Sequence, residues 1–445
     1  MGRSEGVGVG LIGLGTIGTG VVRVLRENAA VIAARLGFPL RLVRVADLDL
    51  ERGRAVDLAG VRFDADANGL IDDPEVAIVV ELIGGQDAAR RLILRAIERR
   101  KHVVTANKAL LALHGKSIFE AAAAAGVDVA FEASVGGGIP ILRSMREGLS
   151  ANRIEALYGI VNGTTNYVLT EMEATGAPFE AVLKRAQELG YAEADPSIDV
   201  DGIDAAHKLT ILAAMAFGAE LTSKEIPTEG IRGLARVDFD AAQEFGYRIK
   251  LLGIAKRHEG PDGEPRIEAR VAPTMIPAAS LLAKVDGAMN AIAVHGNAVG
   301  PTLFYGAGAG MLPTASAVVA DLMEIAREIR RGSAGRVAPL SYMPEALRPL
   351  PLVPLAELRG RAYLCFTVQD RPGVLGQIAT ALGEHEIGIE AVIQQRTDEG
   401  QRPVPVVVLT HPAREGAVRR ALERIDRLPA VAAATRLIRI EEGLP

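Results

Sequence analysis

Short apolar runs that end in glycine or a polar residue alternate with amphipathic stretches along the first third of the chain. Residues 7–12 (VGVGLI), 40–46, 76–82 and 102–105 read as buried strands. Helical spacing runs from Thr16 to about Leu36, with Val21, Val22, Leu25 and Val31 on roughly one face, and again over 87–100 and 112–125. Strands alternating with helices predict right-handed crossovers and a mostly parallel sheet.

The pattern changes near residue 131. FEASVGGGIP (131–140) is a loop signal with a helix predicted after it, and mixed strand and helix patterns continue to about residue 300. The stretch 325–360 is rich in Arg, Pro and Leu without steady periodicity and reads as a linker. Beyond it the pattern predicts a strand (363–368), a Pro372-Gly373 turn, a helix (374–384), strands (387–393 and 404–410), a helix (414–426) and a last strand (430–438). That βαββαβ order is ferredoxin-like. The predicted class is α/β: a doubly wound Rossmann domain over 1–130 completed by 312–330, an α+β domain over 131–311, a linker over 331–360, and a small domain over 361–445.

Composition narrows the function. With 445 residues, two to four domains are expected, and 49% hydrophobic residues fill their cores. A net charge of −5, without a strongly basic segment, argues against a nucleic-acid partner. No apolar run approaches the roughly 18–20 residues of a membrane span, and no secretory leader is recognised, so a cytoplasmic location is expected. The single cysteine, Cys365, excludes an intrachain disulfide and a cysteine-rich metal site, and is expected to be buried.

Gly13-Leu14-Gly15-Thr16-Ile17-Gly18 matches G-x-G-x-x-G directly after a strand and opening a helix. There the glycines permit a tight turn, close approach of a pyrophosphate and close helix–strand packing. The alternative is a glycine-rich turn in an unrelated α/β domain. Asp47 ends the second strand, where a carboxylate accepts the adenine-ribose 2′-OH and disfavours a 2′-phosphate. NAD is therefore favoured over NADP, although Arg52 and Arg54 lie close enough to serve NADP.

Glu193, Asp195, Asp199, Asp201 and Asp204 form an acidic run with no intervening Lys or Arg, and Lys208 follows. The run lacks the spacing of an EF-hand. Helical spacing from Gly202 puts Asp204 and Lys208 one turn apart on one face. They are either an exposed ion pair or a site in which the lysine gives a proton to a carbonyl oxygen and carboxylates hold a substrate ammonium. His207 on the same helix reads as structural.

Five strings in order resemble the homoserine dehydrogenase family in its longer bacterial form with a C-terminal ACT domain. They are VVTANK (103–108), FEASVGGGIP, GIVNGTTNY (159–167), GYAEADP (190–196) with its continuation to Lys208, and PTASA (313–317). The resemblance covers nearly the whole chain. It implies reversible NAD(P)-dependent interconversion of L-homoserine and L-aspartate 4-semialdehyde, within threonine, methionine and isoleucine biosynthesis. It assigns Lys208 as acid/base, Asp204 as the acid beside it, Glu193 and Asp199 to the substrate, and Lys108 to substrate and nicotinamide.

The same resemblance implies a monovalent cation such as sodium on the carbonyls of Glu132, Val135, Gly137 and Ile139. It also implies a second cofactor loop at Gly306–Gly310 that includes Gly308, with Ala307 in place of the usual proline. The middle domain is expected to pair two copies into a homodimer or higher homo-oligomer. Gln369–Leu375 resembles the ACT turn, with threonine as the implied effector. Two rivals are a catalytically silent amino-acid and nucleotide sensor, and another ACT-bearing hydroxy-acid dehydrogenase. The retention of Lys108, Glu193, Asp204 and Lys208 together argues against the sensor, and the motifs at 193–208 argue against the hydroxy-acid enzyme, which would want a His/Glu pair and an Arg.

Overall fold

The computed structural model describes residues 6–260, 262–394 and 403–444, without the side chains of Arg54 and Ala55. The chain divides into two compact units. The first comprises residues 1–157, 207–225 and 290–350; the second comprises 158–206, 226–289 and 351–445.

In the first unit, β1 (Val7–Ile12), β2 (Leu40–Ala46), β3 (Arg62–Asp64), β4 (Ile78–Glu81), β5 (His102–Thr105) and β6 (Val129–Ala130) form one sheet in the order β3-β2-β1-β4-β5-β6. Every pairing is parallel. This doubly wound order reverses at β1 and β4, whose carboxyl ends open the crevice where dinucleotides bind. All six residues of β1 are buried, which explains its unbroken apolar run: both faces of the sheet are covered.

The helix expected from Thr16 to Leu36 divides at Asn28 into α1 (Thr16–Glu27) and α2 (Ala29–Leu36). Asn28, a weak helix former, leaves the helical region at φ −102°, ψ 13°. Neither β3 nor α3 (Ala67–Asp72) was predicted. β3 is a three-residue polar edge strand, held where buried Arg44 meets Asp64 at 2.8 Å. After α4 (Asp87–Glu98), α5 (Lys108–Ala125) begins four residues earlier than the apolar spacing predicts. The Asn107 side chain caps it, accepting the Leu110 N–H at 3.1 Å.

The helix Met311–Arg331 packs into the same core, its Val318, Leu322 and Ile325 among Val21, Val22 and Leu25 of α1. Gly20 permits the approach, because a Cβ there would lie 2.8 Å from the Met311 carbonyl oxygen.

The second unit contains a long antiparallel hairpin, Tyr247–Glu259 with Pro265–Pro277. Its C-terminal part has the predicted βαββαβ order: Arg359–Val368, Val374–Glu384, Ile389–Gln394, Val404–Thr410, Glu415–Ile425 and Val431–Ile440. The last strand pairs with the first, the first with the third and the third with the second, all antiparallel. Both helices cover one face, with Ile378, Leu382, Val418 and Ile425 in a core with Leu364, Phe366 and Val408. Cys365 is buried as expected, and burial pushes its thiol up.

The last strand also pairs in parallel with the hairpin, through Arg439↔Thr274 and Ile440↔Met275. The small domain's sheet therefore continues into the hairpin. Buried Asp238 reinforces the junction, accepting from Tyr363 Oη at 2.9 Å and Arg436 Nε at 2.9 Å. Between residues 332 and 358 the chain forms turns, two short 3-10 segments and two isolated β-bridges, at Arg348 and Leu352. Arg348 bonds to Gly218 in the first unit, and Pro351 and Val353 bond to Ile267 in the second. Among the described residues, no helix is long and apolar enough to cross a membrane.

Candidate active site

The glycine loop sits at the carboxyl end of β1. Gly13 has φ +101°, and a Cβ there would lie 2.7 Å from the Leu82 carbonyl carbon. At Gly18 a Cβ would lie 2.1 Å from the Gly13 carbonyl oxygen, so this close packing of helix on strand requires glycine. Gly15 caps α1, whose first two residues are Thr16 and Ile17, and faces open space apart from the tip of Arg52. That opening at a helix N-terminus suits a pyrophosphate.

The Asp47 side chain, only 7% exposed, is tied into this loop. Its Oδ2 accepts the Leu14 N–H at 2.6 Å, and its Oδ1 accepts the Asp49 N–H at 2.8 Å. Arg52 pairs with both Asp47 (3.2 Å) and Asp49 (3.3 Å). The side chain of Arg54 lies outside the described residues.

In the same unit, Glu132–Ser134 form a buried 3-10 turn, followed by Val135 and the positive-φ pair Gly136 and Gly137. The Glu132 carboxylate accepts the backbone N–H groups of Leu142 (2.9 Å) and Arg143 (2.7 Å). Its own N–H donates to Asp321 at 2.8 Å. Burial pushes the Glu132 carboxyl up. Asp321, enclosed completely and facing the Glu132 charge, is pushed up to about 8. The Ile139 carbonyl accepts the Ile141 N–H at 2.8 Å, and the Glu132 carbonyl accepts the Val135 N–H at 3.4 Å. Gly137 packs on Gly308, where a Cβ would lie 2.6 Å from the Gly308 carbonyl, and the Gly138 N–H donates to Ala307 at 3.1 Å. The two glycine-rich loops are thus locked together.

In the second unit, Asn162 joins two members of the acidic run. Its amide nitrogen donates to Asp199 (2.7 Å) and to Asp204 (2.8 Å), while its oxygen accepts the Thr165 N–H at 2.8 Å as the cap of helix Gly163–Thr175. Glu193 is exposed, on a turn whose carbonyl accepts from Gln187. Asp201 pairs with Arg232 at 2.6 Å, away from Asn162's partners. Hydrogen bonds from Ser197 hold Asp195 below the usual carboxylate range.

The helix Ile203–Phe217 starts in the second unit and continues in the first. Asp204 is 4% exposed and Lys208 8% exposed. Burial removes the exposed-ion-pair reading of these two residues. His207 is half-buried on the same helix. Lys108 is the first residue of α5, and the Asn107 side chain beside it also bonds to the Gly85 carbonyl at 2.7 Å.

Comparison with known proteins decides the family. Residues 13–132 match the model of the homoserine dehydrogenase NAD-binding domain, 140–323 that of homoserine dehydrogenase, and 363–427 that of the ACT domain. A homoserine dehydrogenase of Pseudomonas aeruginosa is 48% identical over 98% of this chain and 99% of its own length. That of Neisseria gonorrhoeae is 46% identical over 98% of each. The crystal structure of a homoserine dehydrogenase from Thiobacillus denitrificans superimposes with a TM-score of 0.92, at 50% identity and 99% coverage of both chains. The chain belongs to the homoserine dehydrogenase family.

It is an NAD(P)-dependent oxidoreductase acting on a CH–OH group, with an ACT domain at its C-terminus. Three buried polar residues, one in the second unit and two in the first, were missed from the sequence. Asn162 stands inside the quoted GIVNGTTNY string, and an Asn followed by G-T-T is a helix-cap signal. Glu81, buried at the end of β4, accepts from Thr105 (2.7 Å) and the Ile83 N–H (2.9 Å), and burial pushes its carboxyl up. Asn290 is fully buried against Gly308, and its amide has no partner among the described protein atoms. Neither of these last two carries a sequence signal, since each is a lone polar residue in an apolar strand.

Proposed function

We propose that this chain interconverts L-homoserine and L-aspartate 4-semialdehyde, with Lys208 moving the proton at the substrate oxygen. The observation that carries the reading is the burial of Lys208 one turn after Asp204, whose carboxylate Asn162 fixes at 2.8 Å. Oxidising a carbinol removes a hydride from carbon and a proton from oxygen, and bound nicotinamide takes the hydride. Lys208 takes the proton in that direction and returns it from its ammonium in the other. Asp199 and exposed Glu193 are assigned to the substrate, Glu193 to its ammonium, and Lys108 to substrate and nicotinamide.

NAD is the preferred cofactor in this reading. A 2′-phosphate placed by Asp47 and Asp49 would meet two carboxylates, with the one neighbouring described guanidinium, Arg52, already paired to both. Initial rates of homoserine oxidation with each cofactor test this. At least a tenfold higher kcat/KM with NAD is expected, and a preference for NADP would overturn the role given to Asp47.

The carbonyls of Glu132, Val135, Gly137 and Ile139 fit a monovalent cation such as sodium. Each carbonyl has two lone pairs, so those of Glu132 and Ile139, which accept the Val135 and Ile141 N–H groups, each keep one for a cation. Threonine is assigned to the Gln369–Leu375 turn, which lines a cavity of about 350 Å³ with Gln394 and Val406. A cytoplasmic homodimer or higher homo-oligomer completes the reading.

A further inference from the structure

Two helix N-termini meet beside the dinucleotide loop. Gly20, whose missing Cβ lets the Met311 carbonyl oxygen approach, lies five residues after Gly15, about 8 Å along α1. Met311 opens the helix that ends at Arg331, and Gly310 caps it. The 306–310 loop therefore enters its helix next to the first turns of α1, with Ala309 and Gly310 exposed. Both N-termini carry partial positive charge and unpaired N–H groups, which favour a phosphate.

Asn290, in the strand Met289–Gly296, packs against this loop and is fully buried. A Cβ on Gly308 would lie 1.9 Å from Asn290 Nδ2 and 2.5 Å from its Oδ1, so the amide rests directly on the glycine Cα. Yet the two are not bonded. Among the described residues, neither Nδ2 nor Oδ1 of Asn290 has a partner, and the N–H of buried Gly308 has no acceptor. Buried donors and acceptors are almost always paired, and each one left unmade costs free energy. Packing alone would be served as well by an apolar side chain of similar shape, which leaves nothing unpaired. A buried acceptor and a buried donor side by side, both unpaired, belong to an arrangement that a ligand completes.

We propose that Asn290 is a positioning residue for the bound nicotinamide dinucleotide: when the dinucleotide occupies the crevice, the 306–310 loop settles on it and Asn290 Oδ1 accepts the Gly308 N–H. The amide is buried too deeply to touch the cofactor itself and acts through the loop. The proposal rests on dinucleotide binding at Gly13–Gly18, and not on the preference for NAD or the role of Lys208.

Full-length wild type and Asn290→Leu are titrated by calorimetry with NAD and NADP, and the dinucleotide that wild type binds more tightly is used throughout. Asn290→Leu keeps the branched shape and removes the unpaired amide. Without cofactor its melting temperature should equal or exceed that of wild type, while its affinity for the cofactor falls at least tenfold. Backbone hydrogen exchange over 306–310 should slow on cofactor binding in wild type and slow less in the variant. Asn290→Ala, which cannot overpack the site, should show the same loss of affinity. Melting well below wild type in both cofactor-free variants would mean that the amide is already paired without the dinucleotide, and would overturn the proposal. So would an unchanged affinity in Asn290→Ala, or loop exchange that slows equally in Asn290→Leu and wild type.

Discussion

Glu132 in the nucleotide-binding unit and Glu268 in the ACT-bearing unit are almost equally buried, at 5% and 4% exposure, yet their carboxyls move in opposite directions. Glu132 relies on two backbone amides and faces a second acid, Asp321, so burial prevails and both carboxyls rise. Burial also pushes Glu268 up, but His258, Lys256 and Arg270 outweigh it and hold the group at about 2. Burial therefore sets the stakes while the neighbours set the sign. The first arrangement keeps a proton on Asp321 at neutral pH, whereas the second keeps Glu268 ionised.

The largest effect is expected on breaking the second cluster. Glu268→Gln removes the charged acid that Arg270 Nε and His258 share, and leaves Glu441 alone to serve Lys256 and Arg270. About 3–5 kcal/mol of stability should be lost at neutral pH, read from denaturant unfolding. A loss below about 1 kcal/mol would mean that solvent screens the cluster and that the contrast with Glu132 is false.

The two sites also tilt stability against pH in opposite senses. The folded carboxyl of Glu268 lies below its ordinary value of 4.5, so its contribution is present above that value and lost as pH falls towards 2. Asp321 is raised from 3.8 to about 8, so the unfolded chain releases a proton that the folded chain keeps. Stability should fall as pH rises between those values, by up to about 1.4 kcal/mol per pH unit. Asp321→Asn should flatten the curve between pH 6 and 8, and an unchanged slope would mean that the pair is ionised in the native state. The smallest effect is that of sodium, which at ten times its Kd should raise stability by about 1.4 kcal/mol relative to tetramethylammonium. Equal stability in the two salts would remove the cation from the Glu132 loop.

Much of the architecture was legible because it rests on local pattern. The run 7–12 is apolar throughout because β1 is covered on both faces, and the ACT elements were placed to within a few residues because each strand has a buried side. What escaped depends on contacts between distant segments. β3 is three residues held through Arg44, and Glu132 meets Asp321 across 189 positions. Arg270 of the hairpin pairs with Glu441 across 171 positions. At the candidate active site, the acidic run and Lys208 stood out in the sequence as one stretch. Spacing could not separate a buried pair from a surface one, nor foresee that Asn162 would join Asp199 to Asp204.

The central claim is that Lys208 moves the proton in homoserine oxidation. Single-turnover hydride transfer in wild type and Lys208→Ala, followed by nicotinamide absorbance at saturating homoserine with NAD affinity measured alongside, tests it directly. The account predicts a fall of about 10²–10⁴-fold in the transfer rate with NAD affinity unchanged. A folded variant that binds NAD and transfers hydride at the wild-type rate would contradict it.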